Sequence, residues 1–174
     1  MRTLSLNARR AREGLAPGEV EVLLIEVTHP DLEAPIRLST DPTERISTDP
    51  LVYGTRSGWR GADPVNEPFL FALLSAEVPG DMEEAPASAT LVLENVDHAI
   101  AELLRSVTSR ASVHLAVVLA ASPDVVEAEF LDMQLIAAEG DAESIPLTIS
   151  RQPIEEEGFP MHRMTRDRFP GMFR

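Results

Sequence analysis

The chain has 174 residues, is 44% apolar, contains no cysteine and carries a formal net charge of −14 at pH 7. The absence of cysteine excludes disulfides, thiolate metal sites and a cysteine nucleophile. The acidic balance argues against wrapping nucleic acid, because affinity for phosphates comes from Lys and Arg. No apolar stretch approaches the roughly 18 to 20 residues of a membrane-spanning helix, so we expect one compact domain without membrane insertion.

The N-terminal third predicts a short helix followed by a β-hairpin. Leu4 to Glu13 places its apolar side chains at helical spacing. Glu19 to Thr28 is the clearest strand of the sequence, since its apolar residues first alternate and then run together. Ile36 to Ser39, beyond a turn at His29-Pro30-Asp31, is the expected antiparallel partner.

The centre of the chain, Thr40 to Pro68, predicts a long irregular loop. It contains Asp-Pro three times and three glycines, a composition that favours turns. Leu51-Val52-Tyr53 is the one expected short strand within it. Trp59, the only tryptophan, has two alternatives: its ring packs back onto the core, or it contacts a partner protein together with Arg60, because interface hot spots are rich in Trp and Arg.

The second half predicts further strands around one helix. In Ala87 to Val107, a strand with a period of two ends near Glu94, Asp97 is a natural N-cap, and apolar residues then recur at helical spacing. We expect the helix near residues 97–107. The other expected strands are Phe69 to Val78, a hairpin of Val113 to Ala121 with Val125 to Phe130 around the turn Ser122-Pro123-Asp124, and a pair formed by Met133 to Ala138 and Ile145 to Ile149.

Together these elements predict a mainly β fold: an antiparallel sandwich or barrel of seven or eight strands with one central helix. We expect this domain to span residues 1–150. Residues 151–174 form an extended C-terminal arm in this interpretation, because proline and glycine interrupt them while their aromatic content is too high for a solvated tail. The candidate interface residues are Tyr53, Trp59, Arg60, Phe159, Arg166, Phe169 and Phe173.

No motif in the sequence predicts catalysis. The four histidines are far apart and lack the spacing of a zinc site, and no nucleophile elbow, phosphate-binding loop or dinucleotide fingerprint is present. The run Glu155-Glu156-Glu157 is typical of a solvated charged segment. We therefore assign no catalytic, cofactor-binding or metal-binding residue, and we expect a binding or structural protein without a cofactor instead of an enzyme.

Several short motifs resemble a family of small proteins of unknown function encoded in the tail modules of non-contractile phages and prophages. The resemblance covers nearly the whole chain. Its motifs are LSLNARRA at the start, His29-Pro30-Asp31-Leu32, Pro35 to Leu38, Asp49 to Gly54, Pro68 to Phe71, ATLVLENVDHAI from Ala89 to Ile100, and Phe169 to Phe173. The strand-to-helix segment also resembles the larger tail tip proteins of lambda-like phages.

The resemblance implies a hub-type β-domain in the ring that closes the distal end of a tail tube. It implies a homo-oligomer of three or six copies in contact with tail tube, tape-measure and tip or hub proteins. Such a protein is made in the bacterial cytoplasm and is located at the virion tail tip. Cysteine-containing regions of the larger relatives have no counterpart here, so no iron–sulfur role follows. A small tail-associated hydrolase and a non-virion assembly chaperone are the alternatives.

Overall fold

A computed structural model describes residues 5–13, 19–77, 88–94, 110–138 and 144–151 as one helix and ten strands. The elements are α1 (Leu6–Glu13), β1 (Glu21–Thr28), β2 (Ile36–Ser39), β3 (Glu44–Thr48), β4 (Leu51–Thr55), β5 (Phe69–Phe71), β6 (Leu73–Glu77), β7 (Ser88–Glu94), β8 (Ser112–Leu119), β9 (Ser122–Ala138) and β10 (Ser144–Arg151). A single 3-10 turn, Trp59–Gly61, lies between β4 and β5.

All ten strands belong to one sheet, which curls into a half-barrel in the order β3-β4-β5-β2-β1-β8-β9-β10-β7-β6. Only Ala72 separates β5 from β6, although these strands are third and last in that order. The curl therefore brings strands from opposite ends of this order, β5 and β6, towards each other around an apolar interior.

Strand β1 shows why the sheet needs cover on both sides. Its six residues from Val22 to Val27 are all buried. Alternate side chains point to opposite faces, so Leu23, Ile25 and Val27 enter the interior core. Val22 and Leu24 enter a second core on the outward face, together with Trp59, Ala62, Phe69, Ala116 and Val118. A strand buried on both faces reads as a continuous apolar run, which is the pattern of the sequence.

The 17-residue strand β9 is bent by bulges where it pairs with β8. One irregularity places Glu127 between the pairs Val117↔Ala128 and Val118↔Val126. Another sets two residues, Leu131 and Asp132, opposite His114, and Asp132 has a left-handed φ of 55°. Bulges of this kind let a long strand follow a strongly curved sheet.

The structure confirms several of the predicted elements. The N-terminal helix forms over Leu6–Glu13, and β1 pairs antiparallel with β2 as the expected hairpin. The predicted strand before residue 95 is β7, and β9 pairs antiparallel with β10. The fold is mainly β, as expected.

The prediction of an irregular loop over Thr40 to Pro68 is wrong in its first half. Strands β3 and β4 form a hairpin there, and the expected short strand Leu51-Val52-Tyr53 is confirmed as part of β4. The Asp-Pro pairs suggested turns, and Asp49-Pro50 does lie at the tip of the hairpin. Both strands have only five residues, too few for their periodicity to outweigh that turn signal.

Three other boundaries also differ from the predictions. The single strand expected over Phe69 to Val78 is divided at Ala72, whose N–H donates to the Ser39 carbonyl before the chain moves on to pair with β7. The β8–β9 turn is at residues 120–121, and Ser122 already belongs to β9, which joins the two segments expected as separate strands. The sheet is also not purely antiparallel, because β2 and β5 run parallel.

Two predicted features lie outside the described residues: the helix near 97–107 and all but Arg151 of the C-terminal arm over 151–174.

Candidate functional site

The segment from Arg56 to Pro68, here called the covering loop, packs on the outward face of the sheet. The Trp59 ring is 7% exposed and lies 5.9 Å from the Phe69 ring, between centroids. Its Nε1–H donates to Glu129 Oε1 at 2.8 Å. Of the two sequence alternatives for Trp59, the structure therefore has the ring packed onto the core of its own chain.

The β8–β9 hairpin fixes the start of the covering loop. Ser57 is fully buried, and its hydroxyl donates to the Pro123 carbonyl at 2.9 Å. The Asp124 carboxylate accepts the Gly58 N–H at 2.7 Å, and Ser57 Oγ accepts the Trp59 N–H at 3.2 Å. These bonds satisfy the polar groups of the turn and place the indole over the sheet.

A buried carboxylate holds the middle of the loop. Glu26 on β1 is 3% exposed and accepts Arg37 Nε at 3.0 Å and Arg60 Nε at 2.6 Å. Arg37 Nη1 also lies 3.1 Å from Glu67 at the end of the loop. We call Glu26, Arg37, Arg60 and Glu67 the Glu26 cluster. Each charge has an opposite partner, which is the condition for burying charges at acceptable cost.

The backbone at Arg60 matches this role. Arg60 has a left-handed φ of 55°, a conformation that is uncommon outside glycine. The conformation persists where surrounding contacts determine it. Here the Trp59 ring on one side and the Arg60–Glu26 ion pair on the other fix the turn.

His114 on β8 lies directly opposite Glu26 in the β1–β8 register. The imidazole is buried, and its Nδ1 accepts the N–H of Asp132 at 3.1 Å. That N–H belongs to the left-handed bulge residue of β9. Burial lowers the pKa of His114, and the positive charge of Arg60 lowers it further, whereas Asp132, Glu26 and Glu129 act in the opposite direction. An imidazole that accepts a bond at Nδ1 is neutral, with its proton on Nε2.

Glu127 in the first bulge fixes the N-terminal helix. Its carboxylate accepts the Ser5 N–H at 2.8 Å and the Ser5 hydroxyl through the other oxygen. Ser5 Oγ also accepts the Ala8 N–H at 3.1 Å, so Ser5 caps α1. Ala8 is buried, whereas Leu6 is 72% exposed, so α1 contacts the sheet with only a narrow apolar side.

The outward side of the sheet is different over β10, β7 and β6. The register places Ser75, Val92 and Pro146 in one row across the three strands, and Thr90 beside Thr148 in another. We call the outward side chains of this region the bare face: Leu73, Ser75, Thr90, Val92, Ile136, Pro146 and Thr148. All are exposed except Val92, which is half-buried. None of these seven residues carries a charge, and the register places Glu94 opposite Leu73 and Glu77 opposite Thr90, where β7 and β6 end.

The predicted interface residues do not form one site. Trp59 and Arg60 lie together at the Glu26 cluster. Tyr53 is on β4, 37% exposed and opposite Arg45 of β3, in a different part of the molecule. The neighbouring Gly54 is necessary for this arrangement, because a Cβ there would lie 2.0 Å from the Phe69 carbonyl oxygen. The remaining four, Phe159, Arg166, Phe169 and Phe173, lie outside the described residues.

Sequence reasoning missed Glu26, Arg37 and His114. Glu26 did carry a signal, since it is a lone carboxylate within an apolar strand and a buried charge requires partners. The partners could not be found in the same way, because they come from β2, β8 and the covering loop, which only the fold brings together.

Within the described residues, no group of three or more His, Asp or Glu side chains is arranged to hold a metal ion. A cavity of about 10 Å³ lies in the interior between apolar side chains such as Ile25, Leu91 and Leu147. This is about the space that one water molecule needs, and its lining is apolar. Among the helices that the structure describes, none is long and apolar enough to cross a membrane.

The chain was compared with protein-family models and with curated proteins. No family model matches it. A search of the curated proteins likewise gives no match.

Proposed function

We propose that this chain is a structural virion protein of the distal tail or baseplate hub of a phage. In this proposal it forms a ring of three or six copies that joins the tail tube to the tail tip. The observation that carries the proposal is the bare face, whose seven residues are uncharged and partly apolar. The resemblance of the short sequence motifs to phage tail proteins supports the biological context that we propose for this surface.

The composition of the bare face is that of a protein interface. Leu73 and Ile136 are 52% and 50% exposed in the single chain, and the seven residues of the bare face are uncharged, with Glu77 and Glu94 following where β6 and β7 end. Depletion of charged residues distinguishes the centre of an interface from the rest of a protein surface. A closed ring uses two different surfaces on each copy. We propose the bare face as one of them.

The Glu26 cluster supports a structural role in preference to catalysis. A catalytic carboxylate or histidine needs free access to a substrate. Glu26 is instead enclosed between Arg37 and Arg60, and the Nδ1 of His114 is occupied by the backbone of Asp132. Both groups hold the covering loop and the bulge in position.

The proposed partners are further copies of the chain and the neighbouring tail tube, tape-measure and tip proteins. The location is the virion tail tip. The net charge of −14 suits a ring that DNA must pass without adhering, since like charges repel. We propose residues 151–174 as the arm that contacts the adjacent subunit.

The experiment is the proteomics of purified particles from a strain that encodes the chain. We expect peptides of the chain in stoichiometric amounts in intact tails. A second strain, complemented with a chain lacking Gly158 to Arg174, should produce the folded truncated protein but leave it out of tails. A chain that is required for tail formation yet absent from particles would be an assembly chaperone and would contradict the proposal.

A further inference from the structure

We propose that His114 is a proton-controlled latch, which holds the covering loop on the sheet when neutral and releases it when protonated. The inference concerns the conformation of the single chain and does not depend on the proposed function. It rests on the geometry around one buried imidazole that connects the β9 bulge with the Glu26 cluster.

The first half of the latch is the bond to the bulge. His114 Nδ1 accepts the N–H of Asp132, which has a left-handed backbone and opposes no ladder partner. Protonation converts Nδ1 into a donor. Two N–H groups would then face each other at 3.1 Å, and the Asp132 carboxylate, 4.0 Å from Nδ1, can accept the new proton only if the ring or the bulge moves.

The second half is the charge balance beside the ring. The groups that face His114 are Glu26 on β1, Glu129 and Asp132 on β9, and Arg60 on the covering loop. An imidazolium would repel Arg60 and would compete with it for the Glu26 carboxylate, which lies opposite His114 across the β1–β8 ladder. Both effects weaken the Arg60–Glu26 pair, while Arg37 stays bonded to the other carboxylate oxygen of Glu26.

Loss of the Arg60–Glu26 pair would affect the covering loop through Trp59. Arg60 follows Trp59 directly, and the Trp59 ring is held by Phe69, the outward core and the Glu129 carboxylate. Loss of the Arg60 contact frees the left-handed turn and allows the indole to leave the sheet. The exposed outward core, including Leu24 and Val118, would then become an acid-induced apolar surface.

The direction in pH follows from the environment of the ring. Because burial and Arg60 lower the pKa of His114 below its ordinary value of 6.5, the latch is closed at pH 7. The unfolded or open form binds the proton more readily, so the closed form loses stability as the pH falls from 6.5 through the lowered pKa. The transition is therefore expected on the acid side of pH 6.5.

The single tryptophan of the chain is a direct probe of this motion. Trp59 emission of the full chain is followed from pH 8 to pH 4 together with far-ultraviolet circular dichroism. We expect the emission to move to longer wavelength below pH 6.5 while the sheet signal stays constant. The variant His114→Asn keeps an acceptor near Nδ1 but cannot be protonated, so its emission should not move over the same range.

The control variant Glu129→Gln separates protonation of His114 from protonation of the indole's acceptor. We expect its transition to remain but to move to lower pH, because Glu129 is one of the carboxylates that raise the pKa of His114. For a readout that needs no variant, hydrogen exchange of the wild-type Gly58 and Trp59 amides, corrected for intrinsic pH dependence, should rise on acidification while that of β10 does not. Three results would overturn the proposal. The first is an emission change that also occurs in His114→Asn, and the second is the loss of the emission change in Glu129→Gln. The third is hydrogen exchange that increases equally in the covering loop and in the sheet.

Discussion

Over β2, β1 and β8 the outward side of the sheet lies under the covering loop, whereas over β10, β7 and β6 the described outward side chains are bare. Strand β1 places Leu24 under Trp59, and beside them Glu26 is bonded by two arginines. The bare face presents Leu73 and Ile136 to solvent. One part of the outward face is thus covered by the chain's own loop, whereas the described side chains of the other part are exposed.

The difference shows that outward-facing strand residues of one sheet can either bind the chain's own loop or remain exposed. On the covered half the buried Glu26 carboxylate is paired with Arg37 and Arg60, which makes that half specific for one loop conformation. The described side chains of the bare face carry no charge, which allows close contact without the cost of burying an unpaired ion. The covered half should therefore control stability, and the bare half should control association.

The largest expected effect is on the covered half. Trp59→Ala removes the largest side chain of the outward core and its bond to Glu129, and should lower the free energy of unfolding by about 3 to 5 kcal/mol. Urea denaturation followed by circular dichroism measures it. The matched change Leu73→Ala on the bare face should stay within about 0.5 kcal/mol of wild type. Equal losses in the two variants would mean that the two halves are not different.

Glu26→Gln should have the next largest effect. It leaves Arg37 and Arg60 without their shared anion, and removal of one partner from a buried pair costs about 3 kcal/mol or more. The control is Glu44→Gln, which removes the charge pair of Glu44 with Arg56 at 2.8 Å on the surface and leaves the Arg56 bond to the Pro64 carbonyl in place. That pair should contribute less than about 1 kcal/mol. Thermal unfolding of both variants compares them, and a ranking in the reverse order would show that the Glu26 cluster does not fix the loop.

A smaller effect concerns the N-terminal helix, which belongs to neither half. Glu127→Ala removes the carboxylate that accepts both Ser5 groups. We expect a loss of about 1 to 2 kcal/mol, because the helix keeps its Ser5 cap but loses its bonds to the sheet. Hydrogen exchange should rise in α1 and remain unchanged in β1. Unchanged exchange in α1 would mean that the apolar contact of Ala8 is sufficient to dock the helix.

The sequence was enough to predict the elements whose periodicity is local. The β1–β2 hairpin, β7 and α1 follow from apolar spacing and turn residues within ten or so neighbours. The division of β5 from β6 at Ala72 could not be predicted, because it depends on a change of pairing partner. Before Ala72 the chain pairs with β2, and after it the chain pairs with β7. The Glu26 cluster was hidden for the same reason, since its four residues come from β1, β2 and the covering loop.

The bare face was also beyond local reasoning. Val92 and Thr90 read as ordinary strand residues, and nothing in the sequence says which side of β7 the chain leaves open. The register with Pro146 and Thr148 of β10 is what joins them into one surface. Trp59, by contrast, was singled out from the sequence, but only the fold distinguishes its two alternatives.

The most direct test of the bare face as a subunit contact is native mass spectrometry of the purified chain. Ile136→Asp places a charge on the bare face. Val125→Asp is the matched control, because Val125 lies on the same strand at a similar exposure of 48% but outside that face. We predict assemblies of three or six copies for wild type and Val125→Asp, and monomers for Ile136→Asp. A monomeric wild type, or equal assembly of the two variants, would contradict the account.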